Sequence, residues 1–181
     1  METTTLTKSN WQVDPAHSEL SFTVKHLMIS KVKGHFRDFK AEIGSQDDEF
    51  TAAHVTATIN SASVDTGDVQ RDGHLKGADF FDAENYPEIK FVSTGFDKIS
   101  RTNYELKGDL TIRGITKPVK FDVEFGGIAK DPWGNTKAGF SLTGKINRKD
   151  WDLNWNAALE AGGVLVSDEV RVAAEIQISK H

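Results

Sequence analysis

The sequence predicts an all-β protein: an eight-stranded antiparallel barrel with one or two short helices. Three observations predict it. Apolar and polar residues alternate with a period of two over many short segments, as in Val119, Phe121, Val123 and Phe125 against Lys120, Asp122 and Glu124. Turn-forming clusters fall between those segments at hairpin spacing. Each segment has one apolar and one polar face, which favours antiparallel pairing because an all-parallel sheet is covered on both faces. Eight such strands must stack as two sheets or close on themselves, and closure removes the exposed edges.

Taken in order, Leu20, Phe22, Val24 and His26 alternate with Ser21, Thr23 and Lys25. Further strands read at Val32–Ile43 and Ala52–Ser61. The segment Ser63–Pro87 then breaks the pattern. Asp68–Lys76 has the spacing of one short helix, and Ala78-Asp79-Phe80-Phe81-Asp82 follows with adjacent bulky aromatics. So long a connection is more often functional than incidental. Alternation resumes at Glu88–Asp97 and at Leu106, Gly108, Leu110 and Ile112. A turn is expected over Arg113–Pro118 before the Val119–Phe125 strand, and another over Asp131–Asn135 before Thr136–Asn147. Lys149–Leu159 places Trp151 and Trp155 four residues apart and reads as a second helical piece. Val170, Val172, Ala174, Ile176 and Ile178 form the last strand.

The chain of 181 residues suits one domain, with 38% hydrophobic and 27% charged residues excluding a disordered composition. Residues 1–10 read as a disordered tail and residues 11–181 as the barrel domain. A net charge of −5 disfavours non-specific nucleic-acid binding, and no nucleic-acid partner is expected. The absence of cysteine removes disulfides, thiolate catalysis and zinc–thiolate sites. No apolar run reaches the ~18 residues of a membrane-spanning helix. The polar, Thr-rich start does not resemble a secretory signal, so the expected location is cytoplasmic.

Six histidines, at 17, 26, 35, 54, 74 and 181, lack the paired spacing that one helix or strand presents to zinc. No metal or cofactor is expected. Ser18 follows His17, but no Gly-x-Ser-x-Gly elbow is present. Asp47-Asp48-Glu49 reads as a solvated turn, and Asp79 with Asp82 as helix-end chemistry.

What remains is the collective apolar face. Phe22, Phe36, Phe39, Phe91, Phe121, Phe125 and Phe140 share the inward phase. For any one of them a packed core is the plainer role. Together they can line a tunnel for a long apolar chain, worth about 0.8 kcal/mol per buried CH2 before ordering costs. Small residues at Gly34, Gly108, Gly144 and Ala174 are expected to leave room inside. His26, at inward phase, would sit where a head group emerges, and Arg71 and His74 on the long connection would contact it. The plainer role of these three is barrel-end hydrogen bonding and surface charge.

The motif residues resemble a known family. Trp11-x-Val13-Asp14-x-x-His17-Ser18-x-Leu20-x-Phe22-x-Val24-x-His26, then Val32-x-Gly34-x-Phe36-x-x-Phe39, resembles the start of the YceI-like, polyisoprenoid-binding family. The likeness continues through Ser63-Val64-Asp65-Thr66, Arg71-Asp72-x-His74-Leu75, Asp79-Phe80-Phe81-Asp82 and Tyr86-Pro87-x-Ile89-x-Phe91. It ends with Gly108-x-Leu110-Thr111-Ile112-Arg113-Gly114-x-Thr116-Lys117-Pro118-Val119 and Arg148-x-Asp150-Trp151. The resemblance implies a lipocalin-like barrel with an extended hydrophobic cavity and a helical segment near its mouth. It implies non-catalytic transport or storage of an isoprenoid or fatty amphiphile, and a homodimer. Many members are periplasmic; this chain reads as a cytoplasmic one. The candidate ligand contacts are Phe22, Val24, His26, Phe36, Phe39, Arg71, His74, Phe80, Phe81, Phe91, Leu110, Phe121, Phe140 and Trp151.

Two other readings stay open. An enzyme at the barrel mouth would use His17, His26 and Asp65 or Asp72. A barrel with a filled core would instead present its outer surface to a partner protein.

Overall fold

The strands form a single antiparallel sheet whose last strand pairs back onto the first. The computed structural model describes residues 9–47, 49–157 and 165–181. Its strands are β1 (Ser9–Val13), β2 (Glu19–His26), β3 (Ser30–Phe36), β4 (Phe39–Ser45), β5 (His54–Asn60), β6 (Val64–Asp65), β7 (Glu88–Lys98), β8 (Asn103–Ile112), β9 (Ile115–Lys130), β10 (Thr136–Asn147) and β11 (Glu169–Lys180). One helix, α1 (Val69–Lys76), lies between β6 and β7.

These eleven pieces make eight staves. β1 and β2 form one stave, interrupted by a 3-10 turn at Pro15–His17, and both pair antiparallel with β11. β3 and β4 form the next, broken at Arg37-Asp38, so the expected single strand over 32–43 is two. β5 and β6 form the third, joined by a 3-10 turn at Ser61–Ser63. With β1 pairing to both β4 and β11, the sheet closes as an antiparallel barrel. Closure satisfies edge groups that a sandwich would leave open.

Several boundaries differ from the sequence reading. Ser9 and Asn10, expected in the tail, pair with Ser45 and Gly44, so the barrel begins two residues earlier. The turn expected over 113–118 is only Arg113-Gly114, both at positive φ (54° and 74°), and Ile115–Pro118 already belong to β9. Two left-handed residues match the twist of the flanking strands, so no longer loop is needed. The 131–135 turn is as expected. The Asp131 carboxylate accepts from the backbone N–H groups of Trp133 and Asn135, both at 2.9 Å. Asp68 caps α1 by accepting from the Arg71 N–H at 3.0 Å. The helical piece expected over 149–159 is a short 3-10 turn, Arg148–Trp151, ended by Asp152 at φ 57°. Trp151 and Trp155 therefore do not share a helix face; residues 158 and 159 lie outside the described residues.

The two ends of the barrel differ. The end holding the β4–β5, β7–β8 and β9–β10 connections is closed by Trp11, Phe50 and Ile178, each 2% exposed or less. Phe50 packs edge-on against Phe140 (centroids 5.0 Å apart) and against Phe125 (5.7 Å). At the opposite end lie α1, the β2–β3 hairpin and the β8–β9 turn.

Candidate functional site

Alternation turns one face of every stave inward, yet many inward side chains are not fully buried. Phe22, Val24, Phe36, Phe140, Leu142 and Val172 are all only half-buried. A filled core would bury them, so the barrel is hollow. The cavity has a volume of about 440 Å3, within the range of small-molecule sites. Its wall is apolar from Val13 and Phe50 at the closed end to Leu75, Phe80 and Phe81 at the other.

Apart from Ser21 within β2, polar lining groups gather at the α1 end: Lys25, His26, Thr66, Arg71, His74 and Arg148. Three lining residues are also solvent-exposed, Lys25, Arg71 and His74, and all three stand there, which makes that end the mouth. The Arg71 Nε donates to the Thr66 hydroxyl (2.7 Å) and Nη2 to the Thr66 carbonyl (2.9 Å). Asp72 accepts from the same hydroxyl (2.6 Å) and from the Thr66 N–H (2.8 Å). Thr66 thus ties the start of α1 to the sheet. The His74 Nε2 lies 2.9 Å from the Asp79 carboxylate, and its ring packs edge-on against Trp155 (4.6 Å) and Phe80 (5.1 Å).

Thirteen of the fourteen candidate contacts line this one cavity: Phe22, Val24, His26, Phe36, Phe39, Arg71, His74, Phe80, Phe81, Phe91, Leu110, Phe121 and Phe140. Trp151 stands apart. It is 1% exposed, packed within the apolar cluster, and its indole N–H donates to the Leu110 carbonyl at 2.9 Å. It holds β8 to the chain after β10.

The glycines behave differently from expectation. A Cβ at Gly34, Gly108 or Gly144 would overlap the ring of Phe22, Phe91 or Phe121 respectively. The space is therefore not empty cavity. Each ring occupies the space that a Cβ at the glycine would take.

The sequence reading missed Arg148. It is 4% exposed and lines the cavity near the mouth. Its guanidinium donates to the carbonyls of Ser167 (2.9 Å), Trp155 (2.8 Å), Leu153 and Val166, with Asp168 at 3.8 Å. Burial lowers its pKa and Asp168 opposes that shift. Asn156 adds a bond to the Val166 carbonyl at 2.7 Å. Arg148 therefore stitches residues 153–155 to 166–167 beside the mouth. Its only sequence signal was its place in the Arg148-x-Asp150-Trp151 motif.

The enzyme constellation is not assembled. His17 sits 64% exposed on the 3-10 turn before β2, with Nδ1 2.9 Å from Asp14, while His26 lies at the far end of that strand. Asp65 pairs with Arg37 (3.1 Å), and Asp72 serves Thr66. Among the described residues no group of three His, Asp or Glu could hold a metal ion, and no helix is long and apolar enough to cross a membrane.

A hollow antiparallel barrel with these motifs matches the YceI-like domain over residues 11–178. The chain belongs to the YceI-like family. A UPF0312 protein of Staphylococcus aureus strain MSSA476 is 41% identical over 94% of this chain and 98% of its own. The solved Campylobacter jejuni YceI protein is 38% identical, with a TM-score of 0.72 over 86% of this chain and 88% of that one. A polyisoprenoid-binding domain from Saccharophagus degradans shares the fold at 15% identity, with a TM-score of 0.70 over 93% of this chain and 97% of that one. The YceI-like assignment thus spans the whole wall of the cavity, from Val13 to Ile178.

Proposed function

We propose that this protein binds a long apolar amphiphile inside the barrel and carries or stores it without chemical change. The carrying observation is the 440 Å3 apolar cavity whose mouth holds Lys25, Arg71 and His74. An isoprenoid quinone, a polyprenyl phosphate, a fatty acid or a fatty amide fits that division into apolar barrel and polar mouth. Buried hydrocarbon supplies the affinity, about 0.8 kcal/mol per CH2, and the mouth supplies orientation. The description of the Saccharophagus degradans neighbour as polyisoprenoid-binding supports an isoprenoid among these.

In this reading the thirteen lining candidates touch the ligand, and Trp151 supports the wall behind them. The separation of His17 from His26 by the length of β2 supports the non-catalytic part of this reading. A homodimer belongs to the same proposal, and light scattering on the purified protein measures it.

The test is solvent extraction of protein freshly purified from cells, paired with native mass spectrometry. A stoichiometric isoprenoid or fatty molecule is expected. An empty extract, from a protein whose melting temperature also ignores a panel of added amphiphiles, overturns the reading. A ligand binding only the native state must raise that temperature.

A further inference from the structure

The hairpin between β2 and β3 combines several unfavourable local choices at one tip. Its tip is Leu27-Met28-Ile29, with exposures of 37%, 51% and 84%. The turn is closed by the Ile29 N–H donating to the His26 carbonyl at 3.2 Å. Both central residues, Leu27 (φ 54°) and Met28 (φ 60°), are left-handed. Asn, Asp and Gly occupy such positions readily, whereas branched and long side chains are disfavoured there. The β8–β9 turn sets one such residue, Arg113, beside Gly114, and the β9–β10 turn uses Gly134 and the Asp131 carboxylate. The β2–β3 tip uses none of these.

Charge at the base of the tip is also unfavourable for folding. Lys25 and Lys31 are directly opposite in the β2–β3 register, a like-charge pair that weakens a hairpin. Neither pairs with a carboxylate among the described residues, whereas Lys33, one step further, lies 3.9 Å from Glu19. Exposed apolar side chains, a left-handed backbone and two facing lysines thus coincide at one point. That point adjoins the mouth: Lys25 and His26 line the cavity, and the Leu27 N–H bonds the carbonyl of Leu165, another lining residue. Departures from local consistency concentrated in this way mark function rather than folding.

We propose that this tip docks the barrel mouth on an anionic lipid bilayer, with Leu27, Met28 and Ile29 entering the head-group region. Lys25 and Lys31 then lie against lipid phosphates. The combination suits a bilayer because it offers both a negative surface and an apolar layer beneath it. The net charge of −5 keeps the rest of the surface away, so docking presents the mouth and not the wall. Passage of an amphiphile between bilayer and cavity rests on the carrier reading; the docking itself does not.

The test is co-sedimentation with vesicles of phosphatidylglycerol and phosphatidylethanolamine, against vesicles of phosphatidylcholine. Wild type is expected to sediment with the anionic vesicles and to be released as salt rises. The triple variant Leu27→Asn/Met28→Gly/Ile29→Ser is expected to lose about tenfold or more in partitioning. Its melting temperature should stay level or rise, because Asn-Gly suits the turn. Lys31→Glu should weaken partitioning by about fivefold per unit of charge. Uptake of a fluorescent fatty acid should be unchanged in both variants. Wild type that ignores anionic vesicles at low salt, or a triple variant that partitions as wild type does, overturns the proposal. A triple variant whose oligomeric mass falls while vesicle binding persists also overturns it and makes the tip an interface between copies. Vesicle binding without fatty-acid uptake would leave docking standing and remove the carrier reading; uptake without vesicle binding does the reverse.

Discussion

Phe22 lies across its cross-strand partner Gly34 so closely that the Cβ glycine lacks would overlap the ring. Phe91 and Phe121 crowd Gly108 and Gly144 as closely, although the register partner of Phe91 is Leu110. This pairing explains how a barrel wall so rich in phenylalanine stays hollow. A ring seated in the space of a missing Cβ sits closer to the wall than it could over any other residue, and leaves that much more of the lumen open. The same ring over an alanine must lift, and the only free direction is inward.

Gly34→Ala tests that geometry directly. The three nearest atoms at Gly34 all belong to the Phe22 ring, whereas a backbone carbonyl is among the nearest at Gly108 and Gly144. The expected stability loss is about 1–3 kcal/mol, the range for overpacking. Affinity for a long-chain fluorescent amphiphile should fall about tenfold as the ring enters the lumen, an estimate set by the loss of one or two buried CH2 groups. Titration of the folded variant measures it. Adding Phe22→Leu should restore affinity; no restoration would mean that the ring does not move inward.

Phe22→Ala and Trp151→Ala should separate wall from support. Trp151 is fully buried and hydrogen-bonded, so its truncation should cost about 3–5 kcal/mol. Phe22 is half-buried against the cavity and should cost less than that, with the larger change in ligand affinity. Denaturant unfolding and amphiphile titration on both variants give the comparison. Equal stability losses with unchanged binding in both would remove Phe22 from the ligand surface.

Arg148→Met should destabilise by about 3 kcal/mol, because several carbonyls lose one charged donor at once. Arg148→Lys should recover little, since an ammonium cannot reproduce the planar fork of donors. Hydrogen exchange should show the loss concentrated at residues 153–157 and 165–167. Uniform loss across the barrel would instead mean that Arg148 supports global folding.

Acid should weaken the β1–β2 junction. The His17 hydrogen bond, with Lys137 at 3.2 Å and the Ala16 N–H, holds the Asp14 carboxyl below its ordinary 3.8 against the opposing effect of burial. A folded-state pKa below the unfolded value means that the stabilisation is full above about pH 4 and is lost as pH falls through the folded pKa. Asp14→Asn should therefore lower stability at neutral pH and flatten its decline below pH 4. Melting temperatures from pH 2 to 7 measure both effects. A parallel decline in the two proteins would show that Asp14 does not carry the acid dependence.

The strands from β7 to β11 were legible because alternation is a local property, visible within a few residues. The β1–β2 and β3–β4 breaks were not. Asp14–Ser18 interrupts its stave through bonds to Gln177, far away in sequence, which no local pattern carries. For the same reason His17, one motif position among many, emerged on the outer wall.

By itself the sequence determined the all-β class, the inward phase of the clearly alternating strands, one short helix over Asp68–Lys76 and thirteen side chains of the cavity wall. Those properties follow from period-two alternation and short-range capping, which need only neighbouring residues. Tertiary structure decided that the barrel is hollow, that the glycines seat aromatic rings, and that Trp151 stands behind the wall. It also decided that Arg148 ties the chain beside the mouth and that an apolar tip stands exposed there. Each of these depends on which residues of distant strands meet, and ring clearance or burial is settled only when the staves close against one another.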